Sequence, residues 1–422
     1  MSLIPVFKFK NHSVLLTNIF SLGTIQLVNY ILPLLTVPYL VRILKPEYFG
    51  LIAFSTATIT YFVMLTDYGF NLSATRQISI HRKNLKKINE IFNSTILIQA
   101  ALLFISFIIL NTLILTFEIF SKNWELYYIS FGMVVGHFLF PVWLFQGLEK
   151  MKYITIINVI TKITLTLLVF IVVKKQEDYL LVPILTSSSF IVSGIFSLII
   201  AKYYFKISFF LPKKEMVLSQ LKKGWFFFSS NLSVSLFTTS TTFILGVFTT
   251  NQSVGLFAAA DKIITAIKGL NSPISQSIYP IVSKKIVENK REGISFILKS
   301  GKIIIFFNLI FSILLFILSE PICDYILGDD YQESIHLLRI MSFLPLIIVT
   351  SNICAVQGLY NLGKAYLVSR YLIIIGISHL VLIFLLIPPF GVYGAATSVV
   401  ITEIFGTLFS IYYFKKEIKL VI

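Results

Sequence analysis

IFNSTILIQAALLFISFIILNTLILTF, residues 91–117, contains no Asp, Glu, Lys or Arg. Because an α-helix rises about 1.5 Å per residue, about 20 such residues cross the hydrocarbon core of a bilayer. The whole 422-residue chain has this character: 56% of its residues are hydrophobic, 13% are charged, and the mean hydropathy is +0.87. A soluble domain is about 25% charged, since its surface faces water. The sequence therefore predicts an all-α, polytopic membrane protein.

Apolar segments of similar length recur along the chain and are separated by short connectors. The longest connector, 205–223, is basic and can hold an amphipathic helix on the membrane surface. About twelve transmembrane helices are predicted, near 15–42, 48–72, 91–117, 125–147, 153–173, 180–204, 224–248, 254–283, 300–319, 335–360, 365–387 and 392–414.

Lysine and arginine are distributed unevenly between alternate connectors. Of the 35 in the chain, 25 fall on the side that includes Lys8 and Lys10, and 5 fall on the opposite side. Because cytoplasmic loops carry the excess of basic residues, both termini are predicted to be cytoplasmic. The net charge of +16 is then explained by helix ends that meet anionic lipid headgroups, and no nucleic-acid partner is expected.

Two short motifs recur six predicted helices apart. The sequence GLIA at 50–53 recurs as GLFA at 255–258, an offset of 205 residues. The sequence QGL at 146–148 recurs at 357–359, an offset of 211 residues. Two six-helix halves of the same orientation are parallel repeats, which are related by an axis along the membrane normal.

The repeat divides the chain into three predicted parts. An N-terminal lobe of six helices covers 1–204, a basic cytoplasmic linker covers 205–223, and a C-terminal lobe of six helices covers 224–422. In such an architecture the substrate binds between the lobes, near the middle of the membrane.

A charge within a span is costly and marks a functional site by default. Seven such side chains form the predicted interior set: Lys162, Asp261, Lys262, Lys268, Arg339, Arg370 and Glu403. Five positive groups against two negative groups favour an anionic substrate, such as a phosphate or a pyrophosphate. Together with an amide in the seventh helix, the positive side chains are predicted to line a substrate cavity: Lys162, Lys262, Lys268, Arg339, Arg370 and Asn231.

Structural alternatives stay open for several of these residues. Arg339 and Arg370 lie about one turn from a helix end, so each can extend its charge to the membrane interface. Asp261 and Lys268 share a helix face and can form a neutral bridge. Asn231 belongs to a polar stripe, and such stripes often join helices to each other.

The acidic side chains in the spans are candidates for ion coupling. Glu403 and Asp261 are predicted proton or sodium sites, because a carboxyl group in apolar surroundings can take up a proton near neutral pH. Glu403 can equally be a permanently protonated, hydrogen-bonded side chain. Asp67 and Asn71 lie on one face of the second helix, and Asp67 can pair with Arg76 near its cytoplasmic end.

Several classes of protein are excluded by what the sequence lacks. It has no G-x-x-x-x-G-K-S/T motif and no soluble domain that could bind a nucleotide. No long extracytoplasmic loop carries the paired His, Asp or Glu side chains of a membrane polymerase. Cys323 and Cys354 are 31 residues apart, which is not a metal-ligand spacing. We therefore expect a protein that is not an enzyme and holds neither cofactor nor metal.

Four stretches of the N-terminal half resemble the Wzx-type polysaccharide flippases, of the superfamily that also contains the multidrug and toxin extrusion (MATE) transporters and the lipid II flippases. In the C-terminal half the resemblance rests on hydropathy and the two repeated motifs. The four stretches are NYILPLLTVPYL at 29–40, PEYFG at 46–50, DYGFNLSATR at 67–76 and QGLEKM at 146–151.

The resemblance implies a MATE-like fold and a transport function. Such a protein moves undecaprenyl-pyrophosphate-linked oligosaccharide repeat units, for O-antigen or capsule, across the bacterial cytoplasmic (inner) membrane. Its partners would be this lipid-linked oligosaccharide, membrane lipids and other polysaccharide assembly proteins. Asp67, Asn71 and Arg76 lie on the matching motif. Alternatives are a cation-coupled multidrug exporter, a lipid II flippase and, in a different class, a polysaccharide polymerase.

Overall fold

The computed structural model describes residues 12–421, which form helices and connectors with no β-strand in that range. The prediction of an all-α membrane protein is confirmed. Lys8 and Lys10 lie outside the described residues. The first helices are α1 (His12–Asp67), α2 (Phe70–Ile80), α3 (Leu85–Thr116), α4 (Glu118–Ser121), α5 (Trp124–Leu139), α6 (Val142–Gly147), α7 (Met151–Val172) and α8 (Leu181–Tyr203).

The second half of the described chain continues in the same way. A π-helix, Ile353–Tyr360, follows α16 directly. The helices are α9 (Lys214–Thr238), α10 (Ser240–Phe248), α11 (Asn251–Gly269), α12 (Asn271–Glu288), α13 (Lys290–Ile317), α14 (Ser319–Ile322), α15 (Glu333–Met341), α16 (Leu344–Asn352) and α17 (Ala365–Val421).

Eight stretches of the described chain are long and apolar enough to cross a bilayer. Two of them, Leu32–Ile80 and Ala365–Leu420, contain 49 and 56 residues, and a single crossing needs about 20. Within α1 the backbone is non-helical at Lys45, and within α17 it is non-helical at Gly391, so each of these long helices is two helices joined at a break. With α9 to α12, helical segments occupy all twelve predicted positions.

Local sequence explains both breaks. Lys45 has φ 56° and precedes Pro46, whose ring disfavours helical backbone in the residue before it. Gly391 has φ 52°, which glycine adopts without the steric cost of a Cβ atom, and it follows Pro388 and Pro389. The breaks fall between the first and second predicted spans and between the eleventh and twelfth.

The residues form two compact units. The N-terminal unit contains Tyr61–Val172, Leu180–Ser230 and the described chain up to Pro33. The C-terminal unit contains Leu34–Thr60, Val173–Tyr179 and the described chain from Asn231 onward. The division into lobes at 1–204 and 224–422 stays a prediction.

Each unit has its own apolar core. In the N-terminal unit, fully buried Phe92, Trp143 and Phe145 belong to one cluster of side chains. In the C-terminal unit, Leu359 and Phe414 belong to another. Because lipid tails are as apolar as these side chains, each core is stabilised by close van der Waals packing.

Two glycines hold α1 and α11 close together within the C-terminal unit. A Cβ atom on Gly50 would overlap the carbonyl oxygen of Asn251, and one on Gly255 would overlap that of Pro46. Pro46 and Asn251, like Gly50 and Gly255, are 205 residues apart. The contact is therefore reciprocal, as across a two-fold axis, with the offset of the sequence repeat.

Candidate functional site

The motif at 67–76 forms a helix break in the N-terminal unit. Tyr68 has φ 46° and Gly69 has φ 72°, which separates α1 from α2. The Asp67 carboxylate accepts hydrogen bonds from the Asn71 side chain and from the backbone N–H groups of Gly69 and Asn71. A Cβ atom on Gly69 would lie 2.7 Å from Phe227 Cβ. The structure thus brings Asp67 and Asn71 together at a turn.

Arg76 lies on α2 with an exposed side chain. Among the described residues, no ion pair joins it to Asp67. The neighbouring Thr75 Oγ1 donates to Asn71 O at 2.6 Å and lies 3.4 Å from Gln146 Oε1, which belongs to the repeated QGL motif. Contacts among these motif residues join α2 to α6.

Lys162 is half-buried on α7 in the same unit. Its charge acts on the imidazole of His137, which stacks on Phe190 with ring centroids 4.6 Å apart. Sequence reasoning missed His137, although an ionisable residue within an apolar segment is a signal that could have identified it.

The C-terminal unit contains a polar cleft of about 220 Å³, which we call the threonine cleft. It is formed by the part of α1 after the break, α10 and α11, with the end of α9. Asp261 and Lys262 line it together, so the structure brings these two predicted residues to one site. The hydroxyl-bearing residues of its lining are Thr56, Thr60, Thr238, Thr239 and Thr242.

A second cleft in the C-terminal unit has a volume of about 320 Å³ and contains Lys268. We call it the amide cleft, because side-chain amides dominate its polar lining. It is formed by α11, α12, α13, α16 and the π-helix. Its polar residues are Lys268, Asn271, Ser272, Ser275, Gln276, Asn352 and Gln357.

Glu403 is half-buried on α17, close enough to Lys268 for the two side chains to interact electrostatically. The preceding residue, Thr402, belongs to a buried network that sequence reasoning missed. His379 is 0% exposed, and its Nδ1 and Nε2 atoms lie 2.9 Å from the hydroxyls of Thr402 and Thr241. This imidazole joins α10 to both parts of α17.

The other predicted cavity residues line neither cleft. Arg339 Nε donates to Ser319 Oγ at 3.0 Å, and its guanidinium forms an ion pair with Glu320 at 3.4 Å. These contacts at a helix end match the interfacial alternative for Arg339. Arg370 is exposed on α17, and Asn231 is half-buried on α9. Within the part of the chain that the structure describes, no three His, Cys, Asp or Glu side chains form a metal-binding group.

Comparison with known proteins identifies relatives over most of the chain. A sequence model of the family described as "Polysaccharide biosynthesis protein" matches residues 15–286. A protein of Escherichia coli (strain K12) named "Putative O-antigen transporter" is 34% identical over 388 residues, 92% of this chain and 93% of that protein. A Shigella dysenteriae protein of the same name is 32% identical over 408 residues, 93% of this chain and 98% of that protein.

Two solved structures share the fold. The lipid II flippase MurJ in its inward closed conformation matches with a TM-score of 0.75 and 16% identity, over 95% of this chain and 87% of that one. An inward-facing MATE family transporter of the MOP superfamily matches with a TM-score of 0.67 and 14% identity, over 96% of this chain and 98% of that one. The predicted MATE-like fold is confirmed.

Proposed function

This chain belongs to the polysaccharide biosynthesis protein family, and we propose that it is a flippase for lipid-linked oligosaccharides. Its cargo would be an undecaprenyl-pyrophosphate-linked repeat unit of O-antigen or capsule. It would carry this unit from the cytoplasmic to the periplasmic leaflet of the bacterial inner membrane. Both termini would be cytoplasmic, as the distribution of basic residues predicts.

The observation that carries this proposal is a polar interior within apolar helices. The threonine cleft and the amide cleft both lie on the α11–α12 segment, which is the least apolar of the predicted spans, and they contain Lys262 and Lys268. Polar and charged groups in a membrane are costly unless they face a water-filled path or a partner. A cation among hydroxyls and amides suits a cargo that carries both negative charge and sugar hydroxyls.

Alternating access is the proposed mechanism. The fold of this chain matches transporter structures described as inward-facing and, with a TM-score of 0.54, one described as outward-facing. The breaks at Lys45, Tyr68–Gly69 and Gly391 divide long helices into segments that can tilt separately. Glu403 and Asp261 are the groups we propose for coupling to a proton or sodium gradient.

The lipid tail of the cargo needs an apolar surface. In the N-terminal unit, α7 and α8 line a cavity of about 450 Å³ whose residues are mostly isoleucine, leucine, valine and phenylalanine. Serine and threonine hydroxyls are its polar part, including Thr161 beside Lys162. We propose this cavity as a contact surface for the isoprenoid chain.

Gene deletion tests the proposed function. A strain without this protein is expected to lose surface polysaccharide while lipid-linked repeat units accumulate on the cytoplasmic side, and a plasmid copy should reverse both effects. Unchanged surface polysaccharide in the deletion strain would refute the proposal. Polysaccharide of altered chain length, without accumulated precursor, would indicate a polymerase instead.

A further inference from the structure

The amide cleft contains a hydrogen-bond chain with a fixed direction. Gln357 Nε2 donates to the backbone oxygen of Ser275 at 3.0 Å and to its Oγ at 2.9 Å. Ser275 Oγ in turn donates to Asn352 Oδ1 at 2.8 Å. Because a backbone carbonyl only accepts hydrogen bonds, the Gln357 amide must point its nitrogen at Ser275 and its oxygen away.

The chain leaves a buried acceptor without a donor. Gln357 is 4% exposed, and its Oε1 atom has no hydrogen-bond partner among the described residues. Buried polar atoms are nearly always paired, because an unpaired one keeps its full desolvation cost. At the other end of the chain, Asn352 uses its oxygen, which leaves its Nδ2 donors for another group.

These groups select the chemical class of a ligand. Gln357 Oε1 needs an N–H or O–H donor, and a pyrophosphate diester has none near neutral pH. Asn352 Nδ2 and Lys268 Nζ are donors, so a group that both donates and accepts is required. Sugar hydroxyls and acetamido groups meet this requirement. Ile348, Val349 and other aliphatic residues of the same cleft suit the apolar face of a sugar ring.

We propose that the amide cleft binds a neutral sugar of the repeat unit and that Gln357 and Asn352 form hydrogen bonds with its hydroxyl or acetamido groups. The pyrophosphate would bind elsewhere, because a pyrophosphate diester offers no donor to Gln357 Oε1. The volume of about 320 Å³ accommodates a small polar ring. This inference rests on the proposed flippase function for its biological meaning, but the binding can be measured separately.

The chain contains a matched control in its own repeat. Gln146 is the counterpart of Gln357 in the first QGL motif, at an offset of 211 residues. Gln146 is half-buried outside the amide cleft, and its Oε1 atom lies 3.4 Å from Thr75 Oγ1, a hydroxyl whose one proton is donated to Asn71 O at 2.6 Å. Gln146→Met and Gln357→Met are therefore the same chemical change outside and inside the amide cleft.

The test measures sugar binding by the purified full-length protein in detergent. Saturation-transfer NMR with a neutral N-acetylhexosamine disaccharide reports sugar binding, and ³¹P line broadening with inorganic pyrophosphate reports anion binding. Gln357→Met is expected to weaken disaccharide binding about tenfold, the effect of one lost buried hydrogen bond. Its pyrophosphate signal, and both signals of Gln146→Met, are expected to match the unmodified protein.

A second variant covers the case in which Gln357→Met does not fold. Asn352→Asp keeps an oxygen that accepts from Ser275 Oγ but removes the Nδ2 donors, so it should also weaken disaccharide binding about tenfold. Disaccharide binding that is unchanged in the folded variants would overturn the inference and leave the cleft filled by water. Loss of the pyrophosphate signal alone would overturn it in favour of an anion site.

The outcomes separate this inference from the proposed function. If deletion of the gene leaves surface polysaccharide intact while Gln357 and Asn352 still govern disaccharide binding, the flippase proposal fails and the sugar site stands. If deletion abolishes surface polysaccharide but disaccharide binding is unchanged in the Gln357 and Asn352 variants, the flippase proposal stands and the sugar site fails.

Discussion

At the scale of single residues, His379 is an ionisable side chain that is completely buried in the C-terminal unit. It has no exposed surface, and both ring nitrogens lie at hydrogen-bond distance from threonine hydroxyls. Such an arrangement requires a neutral imidazole that donates from one nitrogen and accepts at the other, or a cation that donates from both. The side chain positions α10 against α17 in either case.

Replacing His379 should destabilise the protein. His379→Leu removes the partner of Thr241 and leaves a buried hydroxyl, which costs about 1–3 kcal/mol. Thermal unfolding of the detergent-solubilised protein should show a lower midpoint. His336→Leu is the control, because His336 is exposed on α15 and its replacement should leave the midpoint nearly unchanged. Equal midpoints for the two variants would contradict a structural role of His379.

Depth within a predicted span identifies some residues of the clefts and misses others. Lys268 and Asp261 stand out in the sequence because a charge in lipid is costly. Gln357 and Asn352 do not, because a neutral amide barely alters the hydropathy of a 20-residue window. Which side chains meet depends on the rotation of each helix about its axis, and that is set by packing against neighbours far away in sequence.

At the scale of helices, substitutions of Asp67 can distinguish its role in the turn between α1 and α2 from a role of its negative charge in transport. The Asp67 oxygens accept the N–H groups at the start of α2, as a helix-capping side chain does. Asp67→Asn keeps an accepting oxygen and should retain transport in a complementation assay. Asp67→Ala should lower stability by about 1 kcal/mol. A well-folded Asp67→Asn protein without transport would show that the negative charge itself is needed.

The close crossing of α1 and α11 should not tolerate a side chain at Gly255. In Gly255→Ala the new methyl group would overlap the Pro46 backbone, so the two helices must separate at a cost of about 1–3 kcal/mol or more. The thermal midpoint of the purified variant is the measurement. Gly406→Ala is the control, since its Cβ would lie 3.1 Å from the flexible end of Ile375. A Gly255→Ala protein as stable as Gly406→Ala would contradict the close crossing.

Hydropathy locates helices well and says little about their interruptions. All twelve predicted positions are helical in the described chain, because length and apolarity are set within each segment. The breaks at Lys45 and Gly391 have local signals in the prolines beside them. The break at Tyr68–Gly69 could not be placed by hydropathy, because it depends on Asp67 hydrogen bonds and on contact between Gly69 and α9.

At the scale of the whole molecule, orientation in the membrane can be tested with thiols. Both native cysteines are unsuitable targets for reagents: Cys323 is 1% exposed and Cys354 is 8% exposed. Burial and the nearby Asp324 charge raise the pKa of the Cys323 thiol to about 12, so almost no reactive thiolate forms at neutral pH. The unmodified protein should therefore stay unlabelled by a membrane-impermeant maleimide.

New cysteines on exposed residues then report their side of the membrane. In spheroplasts, Asp329→Cys should be labelled directly, because Asp329 lies between the ninth and tenth predicted spans, on the side of the membrane opposite the termini. Lys416→Cys should be labelled only after lysis, because the C-terminus is predicted to be cytoplasmic. Labelling of Lys416→Cys in intact spheroplasts would contradict the predicted orientation.

The close crossing of Gly50 and Gly255 also has a consequence for biogenesis. At about 5–20 residues per second, a ribosome needs roughly 10–40 s to synthesise the residues between these glycines. Until α11 is made, Gly50 lacks its packing partner, and in a bilayer lipid would cover that face of the earlier helix. In truncated or stalled chains the face of α1 around Gly50 would stay uncovered. We expect membrane quality-control proteases to recognise such chains by this uncovered face.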